Sequence, residues 1–181
     1  MRAIQITDTP VCMQLKNAVT GAEAQYPTSV CFHLSQGVLH VRFVAEESAF
    51  YTPYEGYNQP LYEGCVCELF FGDRLNYYEI EVAPNGAVFF AKITFDPVED
   101  DIGGCALLPL PPKAEAIKGE RGYEVRLSLP LKELGLHTPF CLNAYRIEQK
   151  NKESEPVLLA LSPTYRPFFH TPASFVEVEA E

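Results

Sequence analysis

The chain has 181 residues, 47% of them hydrophobic, which is typical of one globular domain over residues 1–181 and excludes a disordered chain. Its formal net charge of −10 repels phosphate groups, so we expect neither nucleic acid nor an anionic membrane as a partner. No run of about 18 apolar residues is long enough to cross a bilayer, and the first residues lack the apolar core of a signal peptide. We therefore expect a cytoplasmic protein, and the sequence leaves its oligomeric state open.

Apolar and polar residues alternate with a period of two in several segments, as they do in half-buried β-strands. In chain order these segments are 38–44, 65–71, 76–82, 88–95, 123–129, 142–147, 156–161 and 175–179. Asn85-Gly86 marks a tight hairpin, and residues 72–76 join two segments at hairpin length. The pattern predicts an all-β antiparallel sandwich or jelly roll with at most one short helical turn, which we place at 131–136 after Pro130. We interpret 97–119, rich in Pro and Gly, as a long loop with one edge strand at most.

The cysteines show no Cys-x-x-Cys spacing, and the histidines are scattered, so the sequence predicts no metal site and no cofactor. In a cytoplasmic protein we expect all the cysteines to be thiols, mostly buried in the core. They are Cys12, Cys31, Cys65, Cys67, Cys105 and Cys141.

Glu68 stands out because it lies in an apolar strand, within the stretch LYEGCVCELFF at 61–71. Three interpretations can be considered: a metal site with the cysteines, which their spacing argues against, a catalytic acid, or a buried polar anchor for a ligand or a neighbouring strand. Glu68 shares a strand face with Val66 and Phe70, and a carboxylate among apolar neighbours needs a partner. We expect that partner to be Arg146, either as a buried ion pair or as the group that orients a ligand-facing carboxylate.

Two further polar groupings are ambiguous. The segment 51–64 carries several tyrosines, whose flat faces and hydroxyl tips suit ligand binding, but the same rings can simply pack the loop down. Glu79 and Glu81 face the same way as Tyr77, and we expect a solvated mixed-charge face there, with a shallow polar groove as the alternative. We interpret His170 as a structural hydrogen-bonding residue or a ligand contact.

No enzyme signature is present in the sequence, so we predict no catalytic residues.

A series of motifs in fixed order resembles carbohydrate-binding module family 9, which also looks like the wider DOMON-like β-sandwich superfamily. The motifs are CELFF (67–71), YYEIEVAPNG (77–86), GYEVRLSLPLKELGL (122–136), NAYRIE (143–148) and PFFHTPASFVEVE (167–179). The resemblance covers roughly residues 30 to 179. Glu68 and Phe70 fall on the strand motif of the family, and Phe169 and His170 fall on its closing segment.

The resemblance implies a site as well as a fold. The family holds the end of a sugar chain between two aromatic rings, which by position become Tyr62 and Phe169. Glu68 inherits hydrogen bonds to sugar hydroxyls, and Tyr145 or Arg146 falls where a polar side chain of the late strand reaches the sugar. The family's opening segment that helps form calcium sites is missing, so calcium is left open. We therefore expect a non-catalytic protein that binds a carbohydrate or a related small polar ligand.

Two other functions stay open. Both tryptophans of the family's sugar clamp are smaller rings in this chain, which fits a degenerate sandwich that serves as a protein-interaction module. The remaining alternative is a hydrolase that acts with Glu68.

Overall fold

The computed structural model describes residues 3–47 and 49–180. These residues form fourteen β-strands and two 3-10 helices of three residues each, η1 at Leu61–Glu63 and η2 at Pro172–Ser174. The strands are β1 Ile4–Ile6, β2 Val11–Gln14, β3 Lys16–Asn17, β4 Thr28–Ser35, β5 Val38–Glu46, β6 Val66–Gly72, β7 Asn76–Val82, β8 Val88–Asp96, β9 Asp101–Leu107, β10 Lys113–Gly119, β11 Gly122–Pro130, β12 Phe140–Glu148, β13 Val157–Ala160 and β14 Val176–Ala180. The predicted all-β class is confirmed, and every segment predicted to be a strand contains one.

The strands form two open sheets. The first has nine strands in the order β1-β14-β12-β6-β7-β8-β9, with β13 paired to β12 and β3 paired to β13. The second has five strands in the order β10-β11-β5-β4-β2. All pairings are antiparallel except that of β1 with β14, and hairpins connect β4 to β5, β6 to β7, β7 to β8, β8 to β9 and β10 to β11.

The main hydrophobic core lies between the two sheets. Period-two alternation directs Leu69 and Ile80 from the first sheet, and Phe32, Phe43 and Val125 from the second, into this layer, where each is fully buried. Burial of each such side chain contributes roughly 1.5–3 kcal/mol relative to leaving it in water. The sandwich therefore has one continuous core between its sheets.

The nine-stranded sheet is also covered on its outer face. Segments 49–65 and 161–175 pack over it and enclose a second apolar cluster, which includes Phe70, Tyr77, Tyr145, Phe169 and Phe175. Strand β6 is consequently buried along its whole length. Polar side chains on this outer face are thus removed from solvent, and this arrangement creates the candidate site described below.

Three sequence predictions require correction. Residues 97–119 are not a loop with at most one strand, because they contain β9 and β10, each at the edge of a different sheet. Residues 131–136 form a hydrogen-bonded turn, in which Gly135 has φ of 66°, and the two 3-10 helices lie elsewhere. The expectation that all cysteines are thiols is wrong, since Cys12 of β2 and Cys31 of β4 form a disulfide.

That disulfide follows from strand register. Cys12 and Cys31 are directly opposite each other in the antiparallel β2–β4 pair, which brings their side chains together. Cys65, Cys67, Cys105 and Cys141 are free.

Among residues 3–47 and 49–180 there is no helix long and apolar enough to cross a membrane.

Candidate functional site

A pocket of about 370 Å³ opens on the outer face of the nine-stranded sheet. Its walls include four residues predicted from the sequence, Tyr62, Glu68, Phe169 and His170, and it also contains Glu79. The volume falls in the range of small-molecule sites. The structure therefore brings the two predicted aromatic walls and the Glu68 carboxylate to one pocket.

Strand register places Glu68 on the floor of this pocket. On β6, Val66, Glu68 and Phe70 share the outer face, while Cys67 and Leu69 face the inter-sheet core. Glu68 is directly opposite Tyr145 on β12 and Glu81 on β7. The strand positions its carboxylate beneath the covering segments, where the side chain is only 2% exposed.

The two predicted aromatic walls differ in how they are held. Phe169 is 7% exposed, and its ring stacks on Tyr145 with centroids 4.3 Å apart and planes 16° apart. The Tyr145 hydroxyl donates a hydrogen bond to the Phe169 carbonyl oxygen at 3.0 Å. Tyr62, in η1, is 56% exposed. One wall is thus rigid and the other presents its ring to solvent.

Tyr145 supports the pocket from behind and does not line it. Its side chain is fully buried between Phe70 and Phe169. Burial raises the pKa of the Tyr145 hydroxyl, which stays protonated and can donate to the Phe169 carbonyl. The residue fixes the position of the Phe169 ring.

His170 is at the edge of the pocket, in contact with Phe70 and Glu79. Its Nδ1 lies 2.8 Å from the Tyr77 hydroxyl, and its ring centroid lies 4.7 Å from that of Phe70. Burial lowers the pKa of His170 to about 4, so the imidazole is neutral near pH 7. Its Nε2 is 3.8 Å from Glu79 Oε1, and because the ring is neutral this contact is not an ion pair.

The expected pairing of Glu68 with Arg146 is wrong. Arg146 is opposite Cys67 in the β6–β12 register, so its side chain faces the inter-sheet core, away from Glu68 and the pocket. There it is fully buried, with Nη2 3.2 Å from Glu47 Oε2 and Nη1 2.6 Å from the Thr28 hydroxyl. Its guanidinium also lies over the ring of Tyr123, 5.6 Å from the centroid. Arg146 therefore stabilises the sandwich interior.

Glu79 and Glu81 are part of this site, and the prediction of a solvated face for them is wrong. They are 6% and 1% exposed, because segments 49–65 and 161–175 cover their strand. Glu68, Glu79 and Glu81 each place a carboxylate oxygen within 4.8 Å of the others. The hairpin that joins β6 to β7 is the sequence signal that could have revealed this grouping, because its register makes Glu68 and Glu81 direct neighbours.

Burial and mutual repulsion perturb this carboxylate cluster. Burial, followed by the Glu79 charge, raises the pKa of Glu68 well above its usual value. Burial, followed by the charges of Glu68 and Glu79, does the same for Glu81. Burial also raises the pKa of Glu79, to about 7. The cluster is therefore suited to hold protons, or to bind a group that carries positive charge or hydrogen-bond donors.

The aromatic loop at 51–64 is tied down by its own polar groups. The Tyr54 hydroxyl donates to Glu63 at 2.5 Å, and the Tyr57 hydroxyl donates to the Leu108 carbonyl oxygen at 2.6 Å. Asn58 accepts from the Phe90 backbone N–H at 2.8 Å. These contacts anchor the loop to the sheet and its edge, and Tyr62 is the tyrosine of the loop that lines the pocket.

A larger depression of about 600 Å³ lies on the outer face of the five-stranded sheet, lined in part by the disulfide, His33, His40 and Arg42. None of the ligand-binding residues that were predicted from the sequence lines this depression. The rings of His33 and His40 stack across neighbouring strands with centroids 4.7 Å apart. The aromatic walls and buried carboxylates thus belong to the smaller pocket.

No protein-family profile matches the sequence, and no curated protein matches it significantly. Similar folds exist among solved structures. A protein of Bacteroides uniformis ATCC 8492, assigned as carbohydrate-binding, is 16% identical, with a TM-score of 0.78 and 99% of each chain covered. A family 9 carbohydrate-binding module from Caldicellulosiruptor kristjanssonii in complex with glucose is 12% identical, with a TM-score of 0.68 over 99% of this chain and 96% of that one.

The same comparison finds a family 9 module from Caldicellulosiruptor kristjanssonii in complex with cellotriose, which is 13% identical with a TM-score of 0.63, over 99% of this chain and 94% of that one. These neighbours are binding modules, and two of them hold sugars. The resemblance found in the sequence motifs and the resemblance of the folds agree. The chain has the fold of carbohydrate-binding module family 9.

Proposed function

We propose that the protein binds a carbohydrate, without transforming it, in the pocket between Tyr62 and Phe169. The observation that carries this proposal is the position of both rings and Glu68 around one pocket of about 370 Å³. Sugar rings present flat C–H faces that pack on aromatic rings and hydroxyls that need polar partners. Phe169 supplies a fixed face, Tyr62 an accessible one, and the floor supplies carboxyl oxygens.

The ligand in this proposal is a sugar unit at the end of a chain or a free sugar. A floor that offers Glu68 and Glu79, with His170 beside them, can accept hydrogen bonds from adjacent hydroxyls. The structural neighbours that hold glucose and cellotriose make glucose-based ligands the first to test. Because few groups contact the ligand, we expect dissociation constants of about 10 µM to 1 mM.

The arrangement of the carboxyl groups supports binding over hydrolysis. Glycosidases place two carboxyl groups on either side of the scissile bond. Here Glu68, Glu79 and Glu81 are side by side on adjacent strands, with oxygens within 4.8 Å, all beneath the same face of the pocket. A sugar above them therefore has no second carboxyl group from this cluster on its opposite side.

Calorimetric titration tests the proposal. Glucose, cellobiose, cellotriose, xylose and galactose are titrated into the protein, and turnover of aryl glycosides is measured in parallel. We expect saturable binding of at least one sugar and no turnover. Absence of heat with every sugar at concentrations well above about 1 mM contradicts the proposal, and release of the aryl group contradicts its non-catalytic part.

A further inference from the structure

The carboxylate cluster of Glu68, Glu79 and Glu81 is an unfavourable arrangement unless something compensates for it. Glu68 and Glu81 are directly opposite on neighbouring strands, where like charges destabilise a sheet. These two residues are 2% and 1% exposed, and Glu79 is 6% exposed. Within residues 3–47 and 49–180, no Lys or Arg forms an ion pair with any of the three.

Part of the cluster also lacks hydrogen-bond partners. Glu68 Oε1 and Glu81 Oε2 are buried and have no partner, whereas a buried acceptor normally has one. Glu81 accepts a hydrogen bond from the Tyr62 backbone N–H and shares a hydrogen bond with the Glu79 side chain. Neither hydrogen bond involves Glu81 Oε2. Two nearly fully buried carboxyl groups, on directly opposite strand positions, therefore each have an unused acceptor atom.

We propose that Glu68, Glu79 and Glu81 bind a divalent cation, Ca²⁺, at the floor of the pocket. Ca²⁺ binds oxygen atoms at about 2.3–2.6 Å, so one ion reaches oxygens that are up to about 5 Å apart. The three carboxylate oxygens of the cluster lie within 4.8 Å of one another. Such a cation would give Glu68 Oε1 and Glu81 Oε2 a partner and remove the repulsion across the strand pair.

The type of ligand favours Ca²⁺ over other divalent ions. Carboxylate oxygens suit hard cations, whereas Zn²⁺ and Cu²⁺ sites are built largely from His and Cys. Mg²⁺ requires near-ideal octahedral geometry and retains several waters. A cluster whose members are at most 6% exposed leaves little room for those waters. Ca²⁺ accepts irregular geometry and bidentate carboxylates, which this cluster can supply.

A bare ion fits the cluster better than the ammonium group of an organic ligand. Glu68 and Glu79 line the pocket, whereas Glu81 lies beside them on the same sheet face and does not line it. An ammonium group attached to a sugar ring in the pocket would contact the first two and leave Glu81 Oε2 without a partner. It would also bring a single positive charge to three carboxylates.

Protein stripped with a chelator, without any sugar, is the material for the test. Terbium, which replaces Ca²⁺ and emits when a nearby tyrosine is excited, is titrated first, and CaCl₂ then competes. We expect tyrosine-sensitised emission that Ca²⁺ displaces. CaCl₂ at about a hundredfold excess over its dissociation constant should raise the melting temperature by about 5–10 °C.

Glu81→Gln is the informative variant, because it keeps the side-chain shape and does not alter the pocket lining. We expect it to remain folded, shown by its melting transition, and to bind Tb³⁺ more than about tenfold more weakly, since affinity follows the number of charged ligands. Glu115→Gln, at an exposed position of β10, is the matched control and should bind like the parent protein.

Three results overturn the proposal. One is the absence of both sensitised emission and any Ca²⁺-dependent rise in melting temperature. Another is equal Tb³⁺ binding by Glu81→Gln and the parent protein, which places the ion at surface carboxylates. The last is stabilisation by methylammonium chloride but not by CaCl₂, which assigns the cluster to an ammonium group. Because sugar is absent throughout, none of these results depends on carbohydrate binding.

Discussion

Glu68 and Arg146 lie on opposite faces of the same sheet, although their strands are hydrogen-bonded neighbours. The β6–β12 register sets Glu68 opposite Tyr145 and Arg146 opposite Cys67, so an offset of one residue separates the two charges. Glu68 faces the pocket with two other carboxyl groups, and Arg146 faces the interior with Glu47. The sandwich thus keeps its buried cation and its acidic pocket floor apart.

This separation predicts that Arg146 matters for stability. Arg146→Met removes the cation from a fully buried ion pair whose Nη2–Oε2 distance is 3.2 Å, leaving the Glu47 carboxylate without that charge. We expect the free energy of unfolding to fall by about 3–5 kcal/mol. Denaturant unfolding measures it. Arg126→Met, which removes an exposed arginine paired with Glu124, is the control and should cost about 1 kcal/mol or less. Equal losses in the two variants would contradict this account of Arg146.

Substitutions of the two pocket walls should differ in their effect on stability, although both should weaken sugar binding. Tyr62 is 56% exposed, so Tyr62→Ala should abolish sugar binding while changing the free energy of unfolding by about 0.5 kcal/mol or less. Phe169 is 7% exposed and stacked on Tyr145, so Phe169→Ala should lose binding and also about 3–5 kcal/mol of stability. Calorimetry and denaturant unfolding on the same samples give both quantities. Undiminished sugar binding by Tyr62→Ala would remove that residue from the site.

The disulfide between Cys12 and Cys31 should be measurable as a contribution to stability. It closes a chain segment with a sequence separation of 19, for which the loss of unfolded-state entropy is worth about 3 kcal/mol. We expect Cys12→Ser/Cys31→Ser to lower the melting temperature by roughly 6–12 °C. Thiol titration of the unreduced, denatured protein should find the four free cysteines. Six thiols in that titration would contradict the assignment.

The same titration bears on the compartment. Disulfides persist in oxidising compartments and are rare in the cytosol. The cytoplasmic address stays a prediction, and the thiol count of protein taken directly from its cells tests it.

Gly122 should tolerate no side chain. It has φ of +152°, and a Cβ there would lie 1.9 Å from the Ala45 carbonyl oxygen, where β11 meets the end of β5. We expect Gly122→Ala to cost more than about 3 kcal/mol. Gly37→Ala is the control, because Gly37 also has positive φ, +75°, but nothing within 4 Å of a Cβ, so only the backbone cost of about 1–2 kcal/mol remains. Similar losses in the free energy of unfolding for both variants would show that small shifts around Ala45 are enough to accommodate a Cβ at Gly122.

Alternation along single strands predicted much of this fold. Segments 76–82 and 123–129 are β7 and β11 as expected, because each has one face in the core and a different composition on the other. For 97–119 at most one edge strand was predicted where the fold has two, β9 and β10, since their Pro- and Gly-rich surroundings are typical of loops. The Cys12–Cys31 pair was missed because a cytoplasmic address predicts thiols and because neither β2 nor β4, which carry the two cysteines, was predicted.

The candidate site was predicted in part. The family-like motifs placed Tyr62, Glu68, Phe169 and His170 around one pocket, where the structure has them. Pairing between strands distant in the chain was not accessible from alternation, so Arg146 was assigned to the wrong face. Glu79 and Glu81 were expected in solvent because a single strand does not reveal which segments cover it. Residues 49–65 and 161–175 cover them in the folded chain.

A crystal structure of the protein with saturating glucose or cellotriose is the decisive test of sugar binding in this pocket. We expect one sugar ring between Tyr62 and Phe169, with hydroxyls within hydrogen-bond distance of Glu68 or Glu79. A sugar bound elsewhere, for example in the depression near His33 and His40, or an empty pocket at saturating sugar, would contradict it.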